Sequence, residues 1–184
     1  MKKILAILAL ATFGTAHAAS VIMELQSWEN PNTKATTGGL ALTVKENFTD
    51  RIAGDVLVSI SKSDSTKVLA GRSETGLTYS QPLVGQISGY VRSGIGLKHV
   101  SGSNDTGYYF TEPGVIYKVS ENLSARLGWR YRSAFSDNVA DQTHTVRAGL
   151  NYTLSKTDAV GIRYDQIRGD AAINTLNFNY TRSF

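Results

Sequence analysis

The sequence ends with Ile173-Asn174-Thr175-Leu176-Asn177-Phe178-Asn179-Tyr180-Thr181-Arg182-Ser183-Phe184. From Leu176 to Tyr180 apolar and polar residues alternate, and the last residue is aromatic. A period of two places successive side chains on opposite faces of a β-strand. The stretch therefore predicts a final strand that has one apolar and one polar face and ends on an aromatic ring.

This strand resembles the C-terminal signature of bacterial outer-membrane proteins. The resemblance is carried by the alternation of Leu176, Phe178 and Tyr180 and by the final Phe184. It implies that the last strand closes a barrel and that periplasmic chaperones and the barrel-assembly machinery recognise it. Arg182 departs from the signature, which usually has an apolar residue at that position.

Residues 1–18 have the three parts of a secretory signal peptide. Lys2 and Lys3 form a basic start, residues 4–13 are an apolar run, and Ala16-His17-Ala18 offers small residues to signal peptidase. The apolar run is too short to cross a bilayer as a helix. We predict cleavage after Ala18, which leaves residues 19–184 as one outer-membrane β-barrel domain.

The composition of the mature chain excludes several classes of protein. Loss of Lys2 and Lys3 leaves 17 of the 19 basic residues against 15 acidic ones, so nucleic acid is not an expected partner. The chain has no cysteine, and only His99 and His144 remain after cleavage. These residues give no disulfide framework and no metal-ligand spacing. We predict no cofactor and no metal.

Alternating segments predict an all-β fold, a transmembrane up-and-down antiparallel β-barrel of ten strands. Their lengths suit tilted membrane-spanning strands, which need about 9–11 residues. The predicted strands are residues 21–28, 39–48, 51–62, 72–81, 86–98, 108–119, 123–132, 143–154, 159–167 and 173–184. Eight strands are the alternative, if the first or last pair is miscounted. Pro113 predicts a bulge inside its strand.

The connections alternate between short turns and longer polar loops, which is the outer-membrane pattern with the short turns in the periplasm. Residues 117–123 and 152–158 repeat one turn pattern at a spacing of 35 residues. The second copy, Tyr152-Thr153-Leu154-Ser155-Lys156-Thr157-Asp158, resembles a turn of the general porins. Together with the signal peptide, the alternation and the terminal Phe, it makes the mature chain similar to small, porin-like outer-membrane barrels.

One face of the predicted strands is apolar, and each descending strand ends in an aromatic residue on that face. Aromatic rings favour the headgroup level of a membrane. The predicted periplasmic girdle consists of Phe48, Tyr79, Tyr117, Tyr152, Tyr180 and Phe184.

The opposite, inward face carries nearly every charge. Six charges fall about seven or eight residues above the short turns of strands four to nine, and they predict a belt around one side of the lumen: Glu74, Arg92, Glu112, Arg130, Arg147 and Asp165. Arg126 and Arg163 are further inward basic residues. Glycines lie beside the belt and are expected to leave room for arginine side chains: Gly76, Gly94, Gly96, Gly114, Gly128, Gly149 and Gly161.

Two functions from different classes fit this face. Charges that line an aqueous constriction predict a porin-like narrow passive channel for ions and small solutes, with a slight anion preference because inward basic residues exceed acids. Charges that pair with one another predict instead a closed barrel with a salt-bridged lumen and a structural or surface-interaction role, as in an adhesin or receptor. Either protein would lie in the lipid of a Gram-negative outer membrane.

A remote third interpretation is an omptin-like rim protease. His144 lies near Asp141 and Asp137 in the sequence, and His99 lies near Asp105. The loops are too short to shape a substrate cleft, and no G-x-S-x-G motif occurs. We therefore predict that the protein is not an enzyme and has no catalytic residues.

Overall fold

Alternating side chains produce ten antiparallel strands that close into a barrel. The computed structural model describes residues 19–63, 67–136 and 139–184, so the predicted signal peptide lies outside the described residues. The strands are β1 (Ala19–Glu29), β2 (Thr36–Asn47), β3 (Ile52–Ser63), β4 (Leu69–Val84), β5 (Ile87–Val100), β6 (Thr106–Lys118), β7 (Leu123–Ala134), β8 (Thr143–Thr153), β9 (Asp158–Gly169) and β10 (Ile173–Ser183).

Each strand pairs with its neighbours in sequence, and β1 pairs with β10 to complete the ring. The seam runs from Ser20 opposite Ser183 to Glu29 opposite Asn174. At its end the Phe184 amide donates to the Ala19 carbonyl over 2.9 Å. Closure leaves no unpaired strand edge, the condition for a sheet in hydrocarbon. The ten-stranded barrel is confirmed, and the eight-stranded alternative is wrong.

The apolar face lies outside the barrel and the charged face inside. Exposed outward residues include Leu40, Leu77, Ile95, Leu127 and Phe178, each with more than half of its surface accessible. Large apolar side chains exposed in this way over a whole surface are typical of a barrel that is solvated by lipid. In the part of the chain that the structure describes, no helix is long and apolar enough to cross a membrane.

Three of the short turns are built alike, namely the two copies of the sequence repeat and the turn at Thr49. In each turn the hydroxyl of Thr49, Ser120 or Ser155 accepts the amide proton of the residue three positions later, over 3.0–3.1 Å. The backbone amide of each also donates to the carbonyl of that later residue over 3.1 Å. Side-chain capping of this kind favours a tight turn over continued extension.

The remaining short turn differs, because β4 and β5 are joined only by residues 85 and 86. Gly85 has a φ of 54°, a conformation that glycine adopts without steric cost. A bulge lies between Pro82 and Val84. The bulge predicted at Pro113 is wrong: the pairs Thr111–Tyr131 and Gly114–Gly128 have the same register, so no residue is inserted between them.

Candidate functional site in the lumen

Three inward aromatic rings cover glycines of the adjacent strand. Gly94 is paired with Phe110, Gly96 with Tyr108, and Gly114 with Tyr90. A Cβ atom at any of these glycines would lie within 2.8 Å of the ring that covers it. Such cross-strand pairs fill the space above a glycine with an aromatic ring. The lumen wall of β5 and β6 therefore has a layer of flat rings.

Guanidinium groups stack on these rings from the lumen side. Arg92 and Arg130 lie 4.5 and 4.0 Å from the centre of the Phe110 ring. Arg126 lies 4.0 Å from the ring of Tyr90, and a longer contact of 5.1 Å joins Arg132 to Tyr108. Cation–π contacts hold each arginine head in a defined position against the lumen wall.

The Glu74 carboxylate lies close to two of these arginines and to Arg72, and we name this group the Glu74 cluster. Arg130 donates to both of its oxygens, over 2.7 and 3.2 Å. Arg72 and Arg92 lie 3.5 and 3.6 Å away, and the Tyr108 hydroxyl donates over 2.8 Å. Only 3% of the Glu74 surface is accessible. A buried carboxylate of this kind needs paired charges to offset its desolvation.

A second group, the Glu112 cluster, crosses to the other side of the lumen. Glu112 accepts from Arg126 over 3.0 Å, from the Tyr90 hydroxyl over 3.1 Å, and from Arg147. Arg147 continues to Asp165, with Nε 3.6 Å from Oδ1. From there Arg163 bridges Asp165, over 3.1 Å, and Glu24, over 2.9 Å. Carboxylates and guanidinium groups thus alternate from β6 to β1.

Near the longer loops a third group surrounds Asp141. Its carboxylate accepts from Lys98 over 3.1 Å and from Arg132 over 2.7 Å, and only 3% of its surface is accessible. Apart from Glu24, the buried polar residues of β10, β1 and β3 are uncharged. They are Gln26, Ser59, Ser61, Thr175 and Asn177. The described side chains at the level of the clusters are thus largely buried against one another.

Below the clusters, toward the short turns, the lumen opens into a cavity of about 270 Å³ that we name the vestibule. Its wall near the turns includes Ile22, Thr43, Thr78, Asn151 and Thr181. Seven basic and four acidic residues line it: Lys45, Arg72, Arg92, Arg126, Arg130, Arg147 and Arg163, and Glu24, Asp55, Glu74 and Glu112. The vestibule is thus a basic space that ends at the charge clusters.

All eight predicted lumen charges lie inside the barrel and belong to the Glu74 and Glu112 clusters. Their partners were not predictable from the belt: Arg92 and Glu112 are direct cross-strand neighbours, yet Arg92 binds Asp55 and Glu112 binds Arg147. Arg72 and the three aromatic rings were not predicted. Inward parity together with a glycine in register on the next strand is the signal that could have found the rings.

The predicted aromatic girdle lies on the outer face near the short turns. Phe48, Tyr79, Tyr117, Tyr152 and Phe184 are exposed there. Tyr180 is half-buried, and its hydroxyl donates to Asp158, which also accepts from Arg182 over 2.9 Å. An ion pair in register between β9 and β10 thus occupies the position at which the C-terminal signature usually has an apolar residue.

The pairs proposed for rim catalysis are not assembled as a site. His144 is on the outer face, where its ring stacks on Trp129 at 5.5 Å and lies tilted against Tyr131 at 5.3 Å, whereas Asp141 is on the inner face. His99 does pair with Asp105, at an exposed position. Asp137 lies outside the described residues. Among the residues that are described, no three potential metal ligands lie together.

Comparison of the chain with known proteins shows relatives by fold alone. No family model and no curated protein sequence matches the chain. The barrel is similar to an outer-membrane channel from Pseudomonas putida F1, with a TM-score of 0.59, 11% identity, and coverage of 93% of this chain and 97% of that one. It is also similar to the KdgM porin in complex with oligogalacturonate, with a TM-score of 0.54, 12% identity, and coverage of 90% and 99%.

A third neighbour has a different role. The translocator domain of the autotransporter NalP from Neisseria meningitidis superimposes with a TM-score of 0.53 at 8% identity, covering 100% of this chain and 94% of that domain. One fold therefore serves channels, porins and translocators, and function has to be argued from the lumen. The shared barrel and the apolar exterior agree with the predicted outer-membrane location, and the chain has the fold of the outer-membrane β-barrels.

Proposed function

We propose that the protein is a narrow passive channel of the bacterial outer membrane, which passes ions and small solutes with a slight preference for anions. The observation that carries this proposal is the basic vestibule that ends at a constriction made of charged side chains. In the described lumen, no folded segment blocks the bore. Long arginine side chains can move aside for a small solute, whereas a packed loop or helix would have to refold.

The size of the barrel sets the class of solute. Ten strands give a backbone radius of roughly 10 Å, of which side chains use a large part. The aromatic layer and its arginines occupy the wall of β5 to β7. What passes is therefore an ion or a small solute. Charged rings at such constrictions set the preferred sign of the ion.

The orientation follows from the ends of the barrel. Short turns and an aromatic girdle are typical of the periplasmic side, which makes the vestibule a periplasmic space. The outer face then contacts outer-membrane lipid. Periplasmic chaperones and the barrel-assembly machinery would act on β10 before insertion, after removal of residues 1–18.

A test of the anion preference is the reversal potential of the refolded protein in a planar bilayer with a KCl gradient. We expect a modest shift toward the chloride equilibrium potential, because basic residues exceed acidic ones around the vestibule. A potential at zero or of the opposite sign would overturn the anion preference. Loss of the shift at high ionic strength would agree with its electrostatic origin.

Burial favours one second candidate, a closed barrel whose lumen charges only stabilise the fold. Glu112, Glu74, Arg130 and Asp165 expose no more than 4% of their surface. A barrel that folds but conducts no ions would support this candidate, with interaction through the loops. We propose no catalytic role for the protein. The proteolysis interpretation would be supported only by peptide cleavage that His99→Ala or Asp105→Asn abolishes.

A further inference from the structure

The vestibule contains a lysine that the charge clusters do not use. Lys45 of β2 is in register with Asp55 of β3. Both oxygens of Asp55 accept instead from Arg92, through Nε over 2.9 Å and through Nη2. In the described part of the chain Lys45 forms no salt bridge. Among the described residues its ammonium group is therefore bonded to no carboxylate, although the nearby charge of Asp55 attracts it.

Arg126 faces the same space from the opposite wall. In the ring of strands β7 lies five places from β2, directly across the bore. One nitrogen of Arg126, Nη2, bonds to Glu112 over 3.0 Å, and the guanidinium plane rests on the Tyr90 ring. At 37%, its side chain is more exposed than those of the other lumen arginines in the Glu74 and Glu112 clusters. A guanidinium has five N–H donors, so donors remain for a ligand.

Arg126 and Arg92 repel the ammonium group of Lys45, and Asp55 attracts it. A ligand with two negative charges between Lys45 and Arg126 would replace their repulsion by attraction to both groups. An oxyanion also accepts several charge-assisted hydrogen bonds at once, from an ammonium group and from a guanidinium fork. The hydroxyls of Thr43 and Thr181 line the same cavity and can donate further bonds.

We propose that the vestibule is a binding site for a small dianion of the size of inorganic phosphate, held between Lys45 and Arg126. The site rests on the proposed function, because it names the class of solute that the channel would concentrate at its periplasmic mouth. It differs from the constriction itself, where each described carboxylate is already paired with arginine.

The test is equilibrium binding of inorganic phosphate to the refolded protein in a zwitterionic detergent, followed by the ³¹P line width. We expect a dissociation constant on the order of 1 mM. Lys45→Met and Arg126→Gln should each weaken binding about tenfold, since each removes one charge-assisted contact. Lys62→Met is the matched control, because Lys62 is exposed on the outer face beyond the vestibule, and it should bind as the parent does.

Each outcome bears on the proposal. Lys45→Met removes no ion pair among the described residues, so its fold should persist, and heat-modifiable electrophoretic mobility verifies this. No saturable broadening with the parent protein, or an equal loss in Lys62→Met, would overturn the site. Phosphate binding by a barrel that carries no current would support the binding site and contradict the proposed channel function. Current without phosphate binding would support the channel function and contradict the binding site.

Discussion

Arg92 binds Asp55 through two parallel hydrogen bonds although β5 and β3 are not neighbours. The guanidinium reaches across Gly76 of β4, and a Cβ atom there would lie 3.2 Å from both Nε and Nη2 of Arg92. The absence of a side chain on the intervening strand thus allows this arginine to reach its carboxylate. Gly76 thus leaves room for an arginine side chain, as the sequence predicts for the inward glycines. The same prediction is wrong for Gly94, Gly96 and Gly114, which are covered by aromatic rings.

Replacement of Gly76 by valine should displace Arg92 from Asp55. We expect the free energy of unfolding to fall by about 1–3 kcal/mol, the usual effect of an overpacked interior. Urea titration in lipid vesicles, followed by tryptophan fluorescence, measures it. Gly71→Val is the matched control on the same strand, since the nearest atom to a Cβ there is 3.8 Å away. Equal losses of unfolding free energy in the two variants would contradict the role of Gly76 in leaving room for Arg92.

The aromatic layer predicts a different sensitivity at Gly96. A Cβ atom there would lie 2.4 Å from the Tyr108 ring, so Gly96→Ala should expel the ring and break its bond to Glu74. Tyr108→Phe keeps the ring and removes only the hydroxyl, for which we expect a loss of about 1 kcal/mol. The alanine variant should be the less stable of the two in the same urea titration. The opposite order would show that the ring does not need the glycine.

Glu74 is the charge whose loss should cost the most stability. Glu74→Gln would leave Arg72, Arg92 and Arg130 in a nearly buried site without the carboxylate that they share. Removal of one partner from a buried ion pair typically costs about 3–5 kcal/mol. The same change at the exposed Glu121 in a short turn is the control and should stay within about 0.5 kcal/mol. A stable Glu74→Gln barrel would mean that water screens this cluster well.

On the outer face, Asp158 and Arg182 should differ in importance. Asp158 accepts bonds from Ser155, Thr157, Tyr180 and Arg182, so it ties a turn to the last strand. Arg182→Leu removes one exposed ion pair and restores an apolar residue, and we expect refolding yields equal to those of the parent. Asp158→Ala removes all four bonds and should lower the yield. Equal yields for both variants, judged by gel mobility, would contradict this role for Asp158.

The strands and their two faces could be predicted because apolar residues at every second position indicate which face of a strand contacts lipid. The ends of the strands were predicted less exactly. The sequence predicts β4 as residues 72–81, whereas the strand extends from Leu69 to Val84. The extra residues lie beside a polar loop and a two-residue turn. In such places alternation does not mark the end of pairing, because both faces are solvated.

The lumen charges were predictable as a set but not as pairs. Parity along a strand places Glu112 and Arg147 inside, whereas their contact depends on how the tilt of the strands offsets one against the next. Arg92 could have paired with Glu112, its neighbour in register, and its choice of Asp55 depends on Gly76 and Phe110. The partner of Arg92 therefore depends on residues of three strands together. The pattern of a single strand does not show how these residues are placed relative to one another.

The most direct test of the channel is single-channel conductance of the refolded protein in a planar bilayer, with Arg92→Ser, Arg130→Ser and Arg147→Ser compared one by one with the parent. We expect small, stable current steps from the parent protein. Each variant should give larger steps and a weaker anion preference, because each removes a cation from the constriction. Silence from a folded, heat-modifiable barrel, or steps that none of the three changes alters, would contradict a pore lined by these charges.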